Sequence, residues 1–117
     1  MGNNQFSVAA HFAGKEPDTR KIYDRLLKTS GSFGPFAEDP KKTSIHLVNK
    51  TAFAGVATRK TAIILTIKSD RELASPRIHK SERTSARRFH HEVKLTSPAD
   101  IDAELMGWLK SAYELSA

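Results

Sequence analysis

The 117-residue chain contains no cysteine, which removes disulfides, thiolate nucleophiles, zinc–thiolate centres and iron–sulfur clusters at once. A metal would have to rely on histidine and carboxylate, and none is expected. No cofactor is expected either, because G-x-G-x-x-G, Walker, H-E-x-x-H, EF-hand and G-x-S-x-G patterns are all missing. Aromatics are 8% of the residues, with one Trp and two Tyr, which is thin for the stacking platforms of sequence-reading single-strand binders. Long apolar runs are missing too: no window approaches the roughly 18 apolar residues of a membrane span. The opening MGNNQFSVAAHFAGK has neither the basic start nor the apolar run of a secretory signal. The expectation is a cytoplasmic protein with no membrane association.

What is present is ordinary globular composition, 38% hydrophobic and 27% charged, in a length suited to a single domain over residues 1–117. The charge is unevenly spread. Residues 1–40 hold five basic and five acidic side chains, residues 41–94 hold thirteen and four, and residues 95–117 hold one and four. The formal charge of +6 therefore comes from a middle block of +9. Such a block attracts anions and raises encounter rates with them.

Hydrophobic periodicity predicts a first helix in KEPDTRKIYDRLLKTSG. Pro17 suits its first position, Asp18 its positive end, Ile22, Tyr23, Leu26 and Leu27 its buried stripe, and Gly31 its stop. SIHLVNK, AFAGVAT and TAIILTIK then read as strands joined by hairpin-length turns at residues 49–51 and 59–60. Ile45, Leu47, Ile63, Leu65 and Ile67 occupy one face, and Ile64 and Thr66 the other. Gly55 in mid-strand predicts a bulge or a close backbone approach. Residues 69–87 read as a long connection with one short edge strand around Arg77 to Lys80, and FHHEVKL as a further strand. A C-terminal helix starts at Ser97 as N-cap, with Pro98 and Asp100 completing a capping box, and carries Ile101, Leu105, Trp108, Leu109 and Ala112 as its buried stripe. The fold expected is α+β: two layers, an antiparallel sheet of four to five strands, and the N- and C-terminal helices packed on one face. Ile64 and Val56 on the second face make a homodimer a candidate state.

Four segments, HFAGK (11–15), PKKTSIHLV (40–48), AFAGVATRK (52–60) and FHHEVKLTSPADIDAELMGWLKSAY (89–113), together resemble the bacterial domain-of-unknown-function family 5655 over nearly the whole chain. The resemblance implies a small, uncharacterised α+β domain. It carries no activity and no catalytic residues to transfer.

The stretch RTSARRFHHEVKL (83–95) concentrates the functional candidates. Arginine's planar fork grips phosphate or carboxylate at two points. Arg83, Arg87 and Arg88, with Lys41 and Lys42 from an earlier turn, are therefore the expected anion-binding set; Arg77 and Lys80 stand near the arginines in sequence, and Arg59 and Lys60 are candidates to converge on them across the sheet. Neighbouring strand residues point to opposite faces, so His90 and His91 cannot share one metal. His91 falls in with Phe89 and Val93 and is expected as a hydrogen-bonded core histidine. His90 falls in with Arg88, Glu92 and Lys94, and with His46 on another strand it is the candidate acid/base. The leading expectation is a non-enzymatic module for an anionic partner, nucleic acid or acidic protein. The alternative is a small enzyme acting on a phosphorylated or carboxylated metabolite with His90 as acid/base.

Overall fold

A computed structural model of the chain describes residues 6–117; residues 1–5, the start of the expected domain span, lie outside the described part. The elements are α1 (Val8–Phe12), α2 (Pro17–Gly31), β1 (Ala37–Pro40), β2 (Ile45–Val48), β3 (Ala52–Thr58), β4 (Ile63–Ser69), β5 (Ile78–Ser85), β6 (Arg88–Leu95) and α3 (Ala103–Leu115). The strands form one antiparallel sheet in the order β1-β2-β3-β4-β6-β5.

Six strands replace the four to five expected: β1 is an addition at one edge, and β5 at the other is the edge strand expected around Arg77 to Lys80, running on to Ser85. β1 is AEDP, exposed or half-buried, with Pro40 at its end. β5 exposes seven of its eight residues. An edge strand that covers no core has no apolar face, so hydrophobic alternation cannot reveal its full length; β5 is held by its ladder to β6. The connection expected over residues 69–87 therefore shrinks to residues 70–77.

Both helices pack on one face of the sheet, as the two-layer expectation requires. Ile45, Leu47, Val56, Leu65 and Ile67 from the strands meet Ile22 and Leu26 of α2 and Leu105 and Leu109 of α3, all at 0% exposure. Glu16 N–H (2.9 Å) and the Thr19 hydroxyl (2.8 Å) both donate to the Lys60 carbonyl, which fastens the start of α2 to the β3–β4 turn. The buried Tyr23 phenol donates to Glu38 Oε1 at 2.6 Å. Burial, with that hydrogen bond second, pushes the phenol far above its ordinary pKa, so it remains a donor joining α2 to β1.

Val56 differs from expectation. Its register partner is Leu65, so it lies on the core side and is fully buried. The bulge also lies elsewhere. Leu47 pairs with Ala54 and Val48 with Ala52, so Phe53 is the extra residue and turns inward beside Tyr113 (ring centroids 5.3 Å apart). Gly55 is regular: a Cβ there would meet the His46 Cδ2 and Thr66 Cβ atoms at 3.9 Å, an ordinary contact. With Val56 inside, the open face keeps Ile64 beside Ala57 and Lys94. The apolar surface that suggested a homodimer is thereby reduced to Ile64.

The C-terminal helix begins later than its motif suggested. Ser97 and Asp100 do form the capping box, but around a 3-10 turn over Pro98–Asp100. The chain then bends at Ile101, and the Asp102 side chain caps α3 by accepting from Leu105 N–H. Among the described residues no helix is long and apolar enough to cross a membrane.

Candidate functional site

The face of the sheet turned away from the helices is where the polar sides of β2, β3, β4 and β6 come together. One row across it reads Asp39, His46, Gly55, Thr66, Glu92 and Lys80, and the next places Lys68 beside His90 and Glu82. Ala52, Gly55 and Ala57 have little or no side chain, so β3 forms a low floor between taller neighbours. The result is a shallow depression of about 240 Å³, with His46, Thr66, Lys68 and His90 on its walls. The two candidate acid/base histidines thus share one face. They are nonetheless three strand intervals apart, about 14 Å at the usual spacing of ~4.8 Å, too far to work on a single bond together.

Lys68 is the cation nearest this floor. Its ammonium donates to the Thr51 hydroxyl at 3.0 Å, and no carboxylate pairs with it among the described residues. Partial burial, and then the positive charge of Arg88, hold its pKa below the ordinary lysine value. Arg88 donates to the Arg87 carbonyl at 2.9 Å and has no carboxylate partner among the described residues either. Lys68 lies opposite His90, and Arg88 stands two residues before His90 on β6, so two cations share one corner of the open face.

The five expected anion-binding residues do not form one patch. Lys41 and Lys42 lie in the β1–β2 turn, and Arg83, Arg87 and Arg88 in the β5–β6 hairpin, at opposite edges of a six-stranded sheet. Five intervals of ~4.8 Å put those edges about 24 Å apart. The antiparallel path also sends the two turns to opposite ends of the strands. Lys41 is already paired with Asp39 at 2.9 Å. Arg83 donates to the Ser85 and Ala86 carbonyls and lies over the Phe89 ring at 5.9 Å. It braces its own hairpin. Arg77 is neutralised by Asp102 (2.8 Å) and Glu104 (3.3 Å). Of the set, Arg88 alone adjoins the histidine face.

His91 is the core histidine its alternation predicted, at 0% exposure. Nε2 lies 3.1 Å from the Arg71 carbonyl and Nδ1 lies 2.8 Å from the Ser81 hydroxyl. A carbonyl only accepts, which assigns the proton to Nε2 and leaves Nδ1 to accept from Ser81. Phe89, expected in the core, is only half-buried and stacks on His91 at 5.9 Å.

With this geometry in hand, comparison with protein-family models matches residues 8–116 to DUF5655, a domain of unknown function. The chain belongs to that family. No curated protein and no solved structure matches it. The DUF5655 match therefore supplies no activity, and the chemistry of the site rests on the residues themselves.

Lys68 and Trp108 are the residues that reading the sequence of this DUF5655 domain missed. The alternation of TAIILTIK places its last residue, Lys68, on the face of Ile64 and Thr66. Its pairing with His90 depends on β4 lying next to β6, a long-range fact. Trp108 was expected as core and is half-buried, facing a cavity.

Proposed function

We propose that this domain is a binding module for an anionic partner, gripped at the corner of the open sheet face by Lys68 and Arg88, with His90 and His46 adding hydrogen bonds along the floor. The observation carrying this reading is that Lys68 and Arg88 share one corner of the open face with no carboxylate bonded to either among the described residues. Partial burial first, and then the charge of Arg88, depress the lysine's pKa, and a bound phosphate or carboxylate would relieve the repulsion. The depression of about 240 Å³ lies below the ~300–1,000 Å³ of pockets that enclose small molecules. A phosphate or acidic side chain carried by a macromolecule fits such a surface better than a whole metabolite does. Lys41, Lys42, Arg83 and Arg87 contribute at most to the long-range field.

The test is fluorescence anisotropy with labelled mixed-sequence DNA, mixed-sequence RNA and polyglutamate over a range of salt. Binding is expected at low ionic strength, weakening steeply with salt. Lys68→Met and Arg88→Gln should each reduce it about tenfold, the scale of one charge-assisted contact. The same reduction from Lys42→Gln, or no binding to any of the three polymers, would refute the site.

A second reading, an enzyme for a phosphorylated or carboxylated metabolite with His90 as acid/base, is favoured by His90 lining the depression beside Lys68. A sugar phosphate that raises the melting temperature of the wild type but not of His90→Gln would support it; no such ligand in a screen would remove it.

A further inference from the structure

We propose that the cavity between α3 and the start of the β4–β5 loop binds a small molecule that carries a flat ring, an anionic group and N–H donors. Nucleoside monophosphates and aromatic amino acids share that chemistry. The site is separate from the open-face depression, although Lys68 borders both.

The cavity holds about 440 Å³, inside the ~300–1,000 Å³ range of small-molecule sites. One wall is Trp108. It stands on the apolar stripe of α3, yet Leu105, Leu109 and Ala112 of that stripe are at 0% exposure while Trp108 is half-buried. An indole left partly uncovered beside a cavity is a ready stacking surface for another ring. Leu73 from the loop and Leu115 from α3, both half-buried, add apolar surface to a cavity whose lining, Trp108 aside, is otherwise polar.

The rim supplies one cation and one anion to spare. Asp70 and Arg71 pair with each other at 3.2 Å and largely cancel. Lys68 has only the Thr51 hydroxyl as its hydrogen-bond partner, and Glu114, exposed on α3, has no ion pair among the described residues. The ammonium suits a phosphate or carboxylate. The Glu114 carboxylate only accepts, so it suits the amino groups of a base edge or an α-ammonium. The loop wall is also fixed in place: the Arg71 carbonyl accepts from buried His91, and Arg77 at the loop's far end is held by Asp102 and Glu104. A wall fastened at both ends offers a preformed slot, which lowers the ordering cost of binding.

The composition supplies a selective probe, because Trp108 is the one tryptophan and gives a single indole N–H cross-peak in a proton–nitrogen NMR spectrum. The protein is titrated with adenosine, guanosine, cytidine and uridine monophosphates, with the parent nucleosides, with phenylalanine and with inorganic phosphate. A saturable shift of the indole peak by a monophosphate assigns a nucleotide site, and one by phenylalanine an amino-acid site. Ser111→Leu, which fills the cavity from an exposed helix position, should abolish the shift. Lys68→Met should weaken it about tenfold, the scale of one charge-assisted hydrogen bond. Histidine resonances that move without the indole would report the open face instead, so the two sites fail independently. The proposal is overturned if no ligand shifts the indole saturably, if Ser111→Leu leaves the shift intact, or if a nucleoside or phosphate alone binds as tightly as the monophosphate.

Discussion

Replacing His91 by Phe isolates the polar contribution of the buried imidazole. A phenyl ring retains most of the ring volume and the stacking surface against Phe89, so the cavity term is small. What is lost is the pair of hydrogen bonds, to the Arg71 carbonyl at 3.1 Å and from the Ser81 hydroxyl at 2.8 Å. At a net value near 1 kcal/mol for each bond, the change costs about 2 kcal/mol. An unfolding entropy of ~2.1 cal/mol/K per residue is about 250 cal/mol/K for this length, so the melting temperature should fall by about 8 °C. Differential scanning calorimetry measures that fall directly. Ser81→Ala removes one bond from a more exposed partner, and it should cost about half as much or less. Because the Arg71 carbonyl belongs to the β4–β5 loop, hydrogen exchange in residues 70–77 should speed up in His91→Phe more than in Ser81→Ala. A melting temperature within about 2 °C of wild type would refute the reasoning, since it would mean that neither bond contributes net stability.

Two further perturbations probe the fold and the site. Gly34 has φ +143°, and a Cβ there would lie 2.5 Å from the Tyr113 hydroxyl, which itself donates to the Pro35 carbonyl at 2.7 Å. Gly34→Ala should therefore cost about 2 kcal/mol through backbone strain and the displaced tyrosine, read as a lower urea midpoint at unchanged slope; an unchanged midpoint would contradict this account. Lys68 has a folded pKa below its unfolded value, so between the two values the unfolded chain holds more protons and stability rises with pH. At neutral pH the charged lysine thus disfavours the fold, and Lys68→Met should unfold at a higher urea concentration while binding polyanions more weakly. Polyanion affinity of the wild type should also begin to fall at a lower pH than an ordinary lysine would produce, a step that Lys68→Met should lack.

The contrast between local and non-local information runs through the molecule. The buried strands and both main helices were legible because each buries one face, and burial imposes a period of two or of 3.6 on the chain. Edge strand β5 was legible only over its start, around Arg77 to Lys80, and its run to Ser85 was hidden because seven of its eight residues are exposed. The start of α3 was misplaced because Ser97, Pro98 and Asp100 form a genuine capping box around a shorter turn. Among the candidate residues, His91 was legible from alternation alone, and so was the shared face of His46 and His90.

The middle block of positive charge was determined by composition, but its division was not. Lys41 and Lys42 lie some four dozen residues before Arg87 and Arg88 in a chain whose strands run back and forth. Strand order sends the two pairs to opposite edges. The same order sets Lys68 beside His90 and leaves Trp108 facing a cavity. By itself the sequence determined the layers, the buried faces and the sign of the field, since these follow from side-chain type and local period. Which cations meet, and which are neutralised by an acid distant in sequence as Arg77 is by Asp102, was decided by tertiary structure. The physical reason is that contacts between strands and helices far apart in the chain follow from packing the whole core and leave no local trace.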